Sequence, residues 1–121
     1  MAAPNLVNVT TITAKSTQGD LTTTVTTEFL ANAAASGKVF KVNSILVANI
    51  DGTNSADASV FITKSGGSPI AIASTIAVPA DSTLTVIDKN TAIYLEEGDN
   101  IEAGASADSD LVITINYEEL S

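Results

Sequence analysis

The chain has 121 residues, of which 45% are apolar and only 4% aromatic, and its formal net charge is −9. A chain of this length forms one domain with one core, which leaves little room for a large interior cleft. It contains no Cys, no His and no Arg, so thiolate and zinc–thiolate chemistry, a histidine general base and bidentate arginine clamps are excluded.

The charge and the first residues bear on partners and location. An acidic chain is repelled by phosphates, so we expect no binding to nucleic acid or to anionic membranes. No run approaches the ~18 consecutive apolar residues of a membrane helix, and the start, "MAAPNLVNVT", lacks the basic and apolar regions of a secretory signal. These features predict a protein that is made in the cytoplasm and not exported.

The apolar residues recur with a period of two along segments rich in Thr, Val and Ile, which predicts an all-β protein. Eight or nine strands are expected, from segments at residues 6–14, 21–30, 38–51, 58–64, 70–78, 83–88, 92–95, 101–105 and 111–118. Residues 1–5 are interpreted as a flexible N-terminal arm, and residues 6–121 as a single β-sandwich domain. The segment "ANAAASGK", residues 31–38, is interpreted as a loop or a single helical turn, because it is too short for a helix of its own.

The third predicted strand, "KVFKVNSILVANID", has the strongest pattern. Strict alternation would place five apolar residues on one face, namely Phe40, Val42, Leu46, Ala48 and Ile50. Because its other face is also partly apolar, we expect this strand near the middle of a sheet. Turn-forming clusters recur every eight to twelve residues or so, which favours a sandwich or barrel. The predicted fold is an antiparallel, jelly-roll-like β-sandwich.

The loop "IDGTNSAD", residues 50–57, holds the candidate calcium ligands Asp51, Asn54 and Asp57. Calcium takes six to eight oxygen ligands, often from flexible loops. The spacing does not match an EF-hand loop, and Asp-Gly is a common turn dipeptide. An ordinary loop is therefore the favoured interpretation, with calcium as the alternative.

The densest group of carboxylates lies in "YLEEGDNIEAGAS", residues 94–106, and comprises Glu96, Glu97, Asp99 and Glu102. A carboxylate pair can hydrolyse glycosides, but such sites need a sugar groove, normally lined by aromatic side chains, and one carboxyl in an apolar pocket. With few aromatic residues and a Gly-Asp turn in the segment, we interpret it as a hairpin with a solvated acidic tip. No catalytic residue and no cofactor are predicted.

Two other loops carry hypotheses. For the acidic turn "SADSD", residues 106–110, a solvated loop is the favoured interpretation; the alternative is a cation-binding cluster with "EEGDN", residues 96–100, facing it across the end of the sheet or across a symmetry axis from a neighbouring subunit. Eight acids and no Lys lie between Glu96 and Glu119, so such a cluster would be uncompensated. The segment "SGGSP", residues 65–69, is predicted to be a hairpin turn, because a phosphate-binding loop would need a following helix and a Lys-Ser/Thr pair.

The segments "SGKVFKVNSILVANIDGTNSADASVFI", "VPADSTLTVIDKNTAIYLEEGDNIEAGAS" and "LVITINYEEL" resemble small virion structural proteins of tailed bacteriophages that infect marine and freshwater bacteria, including cyanobacteria. The resemblance runs from about Leu21 onward. Its motifs are strand and turn patterns without a catalytic signature.

This resemblance implies a structural function. Many comparable small β-sandwiches are cement or decoration proteins, usually trimers on the capsid exterior, while others lie in necks, baseplates or fibres. The implied partners are further copies of the chain and the major capsid protein or another virion protein. An adhering arm at residues 1–5 would suit this function, because an extended segment can add a strand to a neighbouring sheet. A carbohydrate- or calcium-binding module is the alternative from another class.

Overall fold

The computed structural model describes residues 6–24 and 26–121. In that part of the chain nine strands are joined by short loops and two 3₁₀ turns, at Leu6–Asn8 and Lys89–Thr91. The strands are β1 (Ile12–Asp20), β2 (Thr27–Ala31), β3 (Val39–Asn49), β4 (Ala56–Thr63), β5 (Ile70–Val78), β6 (Thr83–Ile87), β7 (Ile93–Leu95), β8 (Asn100–Ala105) and β9 (Leu111–Leu120). The predicted arm, residues 1–5, lies outside the described residues.

The strands form two antiparallel sheets whose pairs are nested. One sheet has the order β1-β9-β3-β6, with β7 also on β3, and the other has the order β2-β8-β4-β5. The innermost pair is β4 with β5, and around it lie β3 with β6 and β7, then β2 with β8, then β1 with β9. A long hairpin rolled up in this way is a jelly roll, in which β6 and β7 share the place of one strand. The predicted fold is confirmed.

The core lies between the sheets and is built from small aliphatic side chains. Alternate residues of β9 point inward, and Leu111, Ile113 and Ile115 are fully buried. Alanines such as Ala58 and Ala103 line the facing sheet, both fully buried. A core of Ala, Val, Ile and Leu therefore follows the composition, which offers few aromatic residues to fill space.

Strand β3 is central, as predicted, because β9 pairs with one edge and β6 and β7 pair with the other. The predicted single apolar face is wrong, since the ladder with β9 shifts register between Val42 and Ser44. This β-bulge exchanges the inward positions, so Phe40 and Val42 are buried before it, and Ile45 and Val47 after it. A bulge inserts one extra residue, which reverses the parity of every residue that follows.

The beginning of the chain differs from its prediction. The strand predicted at residues 6–14 begins only at Ile12, after a 3₁₀ turn. Gly19 lies within β1 opposite Ile113, and its missing side chain leaves room for the ring of Phe29, whose Cε1 would lie 2.6 Å from an added Cβ. An isolated Gly within a strand often marks such a close approach.

The strand predicted at residues 21–30 is shorter at its N-terminal side and begins at Thr27. Threonine side chains in this segment bond to the backbone nearby, since Thr24 N–H donates to Thr22 Oγ1 at 3.3 Å and Thr27 Oγ1 donates to the Thr24 carbonyl at 2.8 Å. Such local bonds compete with a ladder. The other predicted strands are confirmed to within about three residues at each end.

The antiparallel order places the loops at two ends of the sandwich. The loops after β1, β3, β5 and β8 share one end, which we call the aspartate end. The loops after β2, β4 and β7 share the other end with the start of β1 and the close of β9, and we call it the lysine end. These two ends hold most of the charged side chains and all the candidate site residues.

Candidate functional site

The segment with the densest carboxylates joins the two sheets rather than forming a hairpin. Strand β7 pairs with β3 in one sheet, whereas β8 pairs with β2 and β4 in the other. The predicted hairpin is therefore wrong, because two alternating strands close in sequence can belong to facing sheets. Side chains alternate along β7, with Leu95 buried and Tyr94 exposed.

Asp99 is the centre of this crossing. Asp99 is only 1% exposed, and its carboxylate accepts hydrogen bonds from three donors. Lys64 Nζ lies 2.5 Å from Oδ2, the backbone N–H of Glu96 donates to Oδ2 at 2.8 Å, and the backbone N–H of Ser65 donates to Oδ1 at 3.0 Å. The prediction of a solvated tip is wrong for this residue, which links the β4–β5 turn to the β7–β8 crossing.

The electrostatics keep Asp99 ionised. Burial raises the pKa of its carboxyl, but the bonds from Lys64 and from the two backbone donors outweigh burial and hold the pKa below its usual value. Hydrogen bonds to the charged form favour that form. A general acid would need the opposite shift, so the geometry suits a structural link and not proton donation.

The other carboxylates of the segment have different surroundings. Glu97 Oε2 accepts from Gly37 N–H at 2.8 Å, and Glu102 Oε1 accepts from Thr63 Oγ1 at 2.5 Å. The Glu96 side chain is 69% exposed, with its Oε2 at 3.9 Å from Lys64 Nζ. Three of the four acids therefore hold neighbouring loops or strands in place, and one faces solvent.

A buried asparagine supports each end, and neither was expected from the sequence. At the lysine end, Asn32 Nδ2 donates to the carbonyls of Lys38 and Leu95 at 2.8 and 3.0 Å, while Oδ1 accepts from Ser36 Oγ at 2.6 Å. Buried polar side chains are stable only when they are satisfied in this way. Asn32 therefore holds the β2–β3 loop against the end of β7.

Asn49 has the same function at the aspartate end. Its Nδ2 donates to the carbonyls of Asn54 and Val78 at 2.9 and 2.8 Å, and its Oδ1 accepts from Asp51 N–H at 2.8 Å. Three loops or strand ends thus meet at one side chain. Asparagine is common in turns, so no sequence signal distinguishes these two from solvent-exposed ones.

The calcium candidates lie at the aspartate end but on different elements. Asp51 and Asn54 lie in the β3–β4 loop, where Asp51 Oδ1 accepts from Thr53 N–H at 2.8 Å and Asn54 Nδ2 donates to Asp51 Oδ2 at 3.2 Å. Asp57 lies within β4. Bonds from the Thr53 and Asn54 backbone, the largest causes, lower the pKa of Asp51. This carboxylate closes its own turn, and calcium binding stays a prediction.

No group of three or more Asp or Glu side chains within residues 6–24 and 26–121 is arranged to hold a metal ion.

The acidic turn after β8 does not lie beside the β7–β8 crossing, since β8 separates the two and places them at opposite ends. Within that turn, Asp108 Oδ1 accepts from Thr23 N–H at 2.9 Å. The alternative in which these two acidic turns face each other at one sheet end within a chain is therefore wrong. The hairpin predicted at residues 65–69 is confirmed, because β4 and β5 pair across it.

The acids near the end of the chain are compensated in three dimensions. Lys15 and Lys38 lie 2.8 and 2.9 Å from the two carboxylate oxygens of Glu119. The hydrogen bonds from Lys15 and then Lys38 lower the pKa of Glu119, against a smaller effect of burial. The absence of Lys between Glu96 and Glu119 in the sequence therefore does not leave Glu119 uncompensated, because lysines distant in the chain lie beside it.

The fold separates the charges along the molecule. Four of the five lysines lie near the lysine end, namely Lys15, Lys38, Lys41 and Lys64. The aspartate end collects six acids and, among the described residues, no lysine; these are Asp20, Asp51, Asp57, Asp81, Asp108 and Asp110. The molecule therefore has one strongly acidic end and one mixed end.

Comparison with known proteins adds no identification. No model of a known protein family matches the chain, and no curated protein matches it either. Among the described residues, no helix is long and apolar enough to cross a membrane.

Proposed function

We propose that this chain is a non-enzymatic structural protein of a tailed-phage particle, a self-associating cement or decoration protein on the exterior of the capsid. The observation that carries the proposal is how the acidic side chains are used. Asp99, Glu97, Asp108 and Asp51 each accept hydrogen bonds from backbone N–H groups. These carboxylates, a side-chain type that often acts in catalysis, here fix loops in place. This use suits a protein whose function is to present a rigid surface.

The shape of the molecule supports the same function. A cement protein binds neighbours through extended surfaces and needs no deep pocket. Several large apolar side chains are exposed here, among them Ile12 at 62%, Ile50 at 60% and Ile70 at 65%. The resemblance to virion proteins implies a homotrimer that also contacts the major capsid protein.

The direct test adds the purified protein to particles that lack it. We expect the protein to bind to the head exterior and to restore resistance to heat and osmotic shock. An unrelated jelly-roll protein of similar charge serves as the control, because it separates specific binding from general shielding. Failure to bind to any part of the particle would contradict the proposal.

Imaging of the loaded particle distinguishes the head from the alternative positions. Density on the neck, tail, baseplate or fibres would assign the protein to those parts and leave the structural class intact.

Calcium binding is tested separately, by melting the protein in millimolar calcium and in EDTA. Because the Asp51 carboxylate is already engaged by Thr53 and Asn54, we expect the two melting temperatures to agree within about 1 °C. A calcium-dependent rise that Asp51→Asn abolishes would support the calcium-binding alternative instead. Titration with glycans tests the carbohydrate alternative in the same way.

A further inference from the structure

Strand β1 contributes almost nothing to the core. Its residues that pair with the inward residues of β9, and therefore share their face, are Thr13, Lys15, Thr17 and Gly19. None of these is a large apolar residue, and among the nine strands of the described chain β1 alone has no buried residue. Because apolar burial is the dominant favourable contribution to folding, β1 lacks what anchors the other strands.

Backbone hydrogen bonds attach β1 instead. The strand pairs with β9 alone, over nine consecutive residues and without a register shift. Each such bond has a small net effect on stability, because water bonds to the same groups once the strand is open. The ion pair between Lys15 and Glu119 adds little, since the Lys15 side chain is 44% exposed. Strand β1 can therefore leave β9 at a lower cost than a strand that carries core residues.

The residues that follow β1 define where such an opening stops. Leu21 is fully buried, and its N–H donates to the Leu111 carbonyl at 2.8 Å. Thr23 N–H then donates to Asp108 Oδ1 at 2.9 Å. Because β1 is the first strand, it is joined to the other strands only through Leu21. A separation of β1 from β9 thus ends at Leu21 and leaves the remaining eight strands paired.

The edge of β9 that β1 occupies is specific for the sequence of β1. Opposite Ile113 it needs glycine, because the Phe29 ring fills the place of a side chain and its Cε1 would lie 2.6 Å from a Cβ added at Gly19. Further along the strand, Lys15 Nζ lies 2.8 Å from a Glu119 carboxylate oxygen. A second copy of this chain supplies glycine and lysine at the same spacing, so its β1 can make every one of these contacts.

We propose that β1 is an exchangeable strand, which leaves its own β9 and pairs in the same register with β9 of a second copy of this chain. The exchange keeps the contacts of β1 and changes only the connection at Leu21, so concentration decides between the closed and the exchanged form. This inference deepens the self-association in the proposed function, on which it rests. Reciprocal exchange joins two copies, and cyclic exchange joins three.

Disulfide trapping tests the exchange directly, because the natural chain contains no Cys. Gln18 and Thr114 are register partners. Thr11 and Ser121 donate backbone bonds to each other, so by alternation Gln18 and Thr114 form a non-hydrogen-bonded pair, with Cα atoms about 4.5 Å apart. This separation suits a disulfide. A chain with Gln18→Cys and a chain with Thr114→Cys are held together in this register only if β1 of one pairs with β9 of the other.

The two variants are unfolded together in urea and refolded with oxidised glutathione, so that slow opening does not limit the exchange. We expect at least about tenfold more disulfide between the two chains than in a control mixture of Ala14→Cys with Thr114→Cys. Ala14 is also exposed but pairs with Glu118, so pairing in register keeps the control thiols about 13 Å apart. Circular dichroism verifies that each variant is folded. Equal yields in the two mixtures would overturn the proposal.

A closed variant tests whether the exchange holds the natural assembly together. The double variant Gln18→Cys/Thr114→Cys, oxidised as a dilute monomer, ties β1 to its own β9. Sedimentation over about a hundredfold range of concentration compares it with the natural chain. We expect the natural chain to associate and the closed variant to stay monomeric until dithiothreitol reduces it. A monomeric natural chain, or a closed variant that associates as the natural chain does, would contradict the exchange.

The same reagents separate this inference from the proposed function. A natural chain that binds to particles but gives no excess of the disulfide between positions 18 and 114 would refute the exchange and leave the structural function standing. An excess of that disulfide in a protein that binds to no part of the particle would support the exchange and contradict the proposed function.

Discussion

Replacing Asp99 by Asn tests whether the buried carboxylate links the two sheets. The substitution keeps the size of the side chain but removes the charge and turns one acceptor oxygen into an NH₂ donor. In the natural chain Oδ2 accepts from Lys64 and from Glu96 N–H, and Oδ1 accepts from Ser65 N–H. Whichever way the introduced amide is oriented, its NH₂ group faces at least one donor, so a buried hydrogen bond is lost and a repulsive contact replaces it.

The magnitude follows from these contacts. A hydrogen bond to a charged group contributes about 1.5–3 kcal/mol, but the Lys64 side chain is 54% exposed, so solvent screens its contribution to below about 1 kcal/mol. We expect Asp99→Asn to lower the free energy of unfolding by about 2–4 kcal/mol near pH 7. For a domain of this size, that corresponds to a melting temperature lower by about 10 °C.

The free energy of unfolding should depend on pH in a direction that the pKa of Asp99 determines. Because the pKa of Asp99 is lowered in the folded protein, its stabilisation is complete above the unfolded pKa of about 3.9 and is lost as pH falls through the folded value. The difference between the natural chain and Asp99→Asn should therefore be constant from about pH 5 to 8 and shrink below about pH 4.

Urea unfolding of both proteins at a series of pH values measures this difference. Glu96→Gln is the control, since Glu96 is 69% exposed and 3.9 Å from the same lysine, and it should change stability by less than about 0.5 kcal/mol. A loss below about 1 kcal/mol for Asp99→Asn, or a loss that persists unchanged in acid, would refute the reasoning.

Three further outcomes are expected. Gly98→Ala should lower the free energy of unfolding in urea by about 2–3 kcal/mol, because Gly98 has φ of +87° and an added Cβ would lie 2.6 Å from Ser65 Oγ. The control Gly66→Ala should cost only about 1 kcal/mol, because Gly66 has a similar φ of +76° but no atom lies within 4 Å of an added Cβ. Equal losses in the two variants would contradict the steric explanation. Asn32→Ala should cost about 2–4 kcal/mol by the same measurement, because it removes the amide donor of the buried Leu95 carbonyl and of the half-buried Lys38 carbonyl. A neutral result would show that water replaces the amide. Glu119→Gln should cost less than about 1 kcal/mol at pH 7, since its lysine partners are largely exposed; because the pKa of Glu119 is lowered in the folded protein, a titration of stability against pH should show this loss vanishing as pH falls through the folded value.

The acidic segment shows where prediction from the sequence succeeds and where it stops. Alternation predicted that Tyr94 and Leu95 lie on opposite faces, and the structure buries Leu95 and exposes Tyr94, because strand parity is a local property. It could not predict that β7 and β8 lie in different sheets, since two facing sheets accept the same alternating pattern. The burial of Asp99 followed from that crossing and from a lysine 35 residues away.

The bulge in β3 is a similar case. Apolar residues on both faces of the segment correctly indicated a central strand, but the change of parity after Val42 depends on the register with β9. Register is a relation between two strands and is not encoded in one of them alone. The bounds of β3 were therefore predicted closely, while its inward faces were not.

Composition and period by themselves determined the fold class, a count of eight or nine strands and the aliphatic core, because these depend on residue type and on neighbours two positions apart. The tertiary structure decided which acids are buried, which lysines compensate them and which isoleucines remain uncovered. It brought Lys15 and Lys38 to Glu119 and gathered six aspartates at one end. Electrostatic partners and exposed patches depend on distances in space, and the nested pairing of the jelly roll sets those distances between residues far apart in the chain.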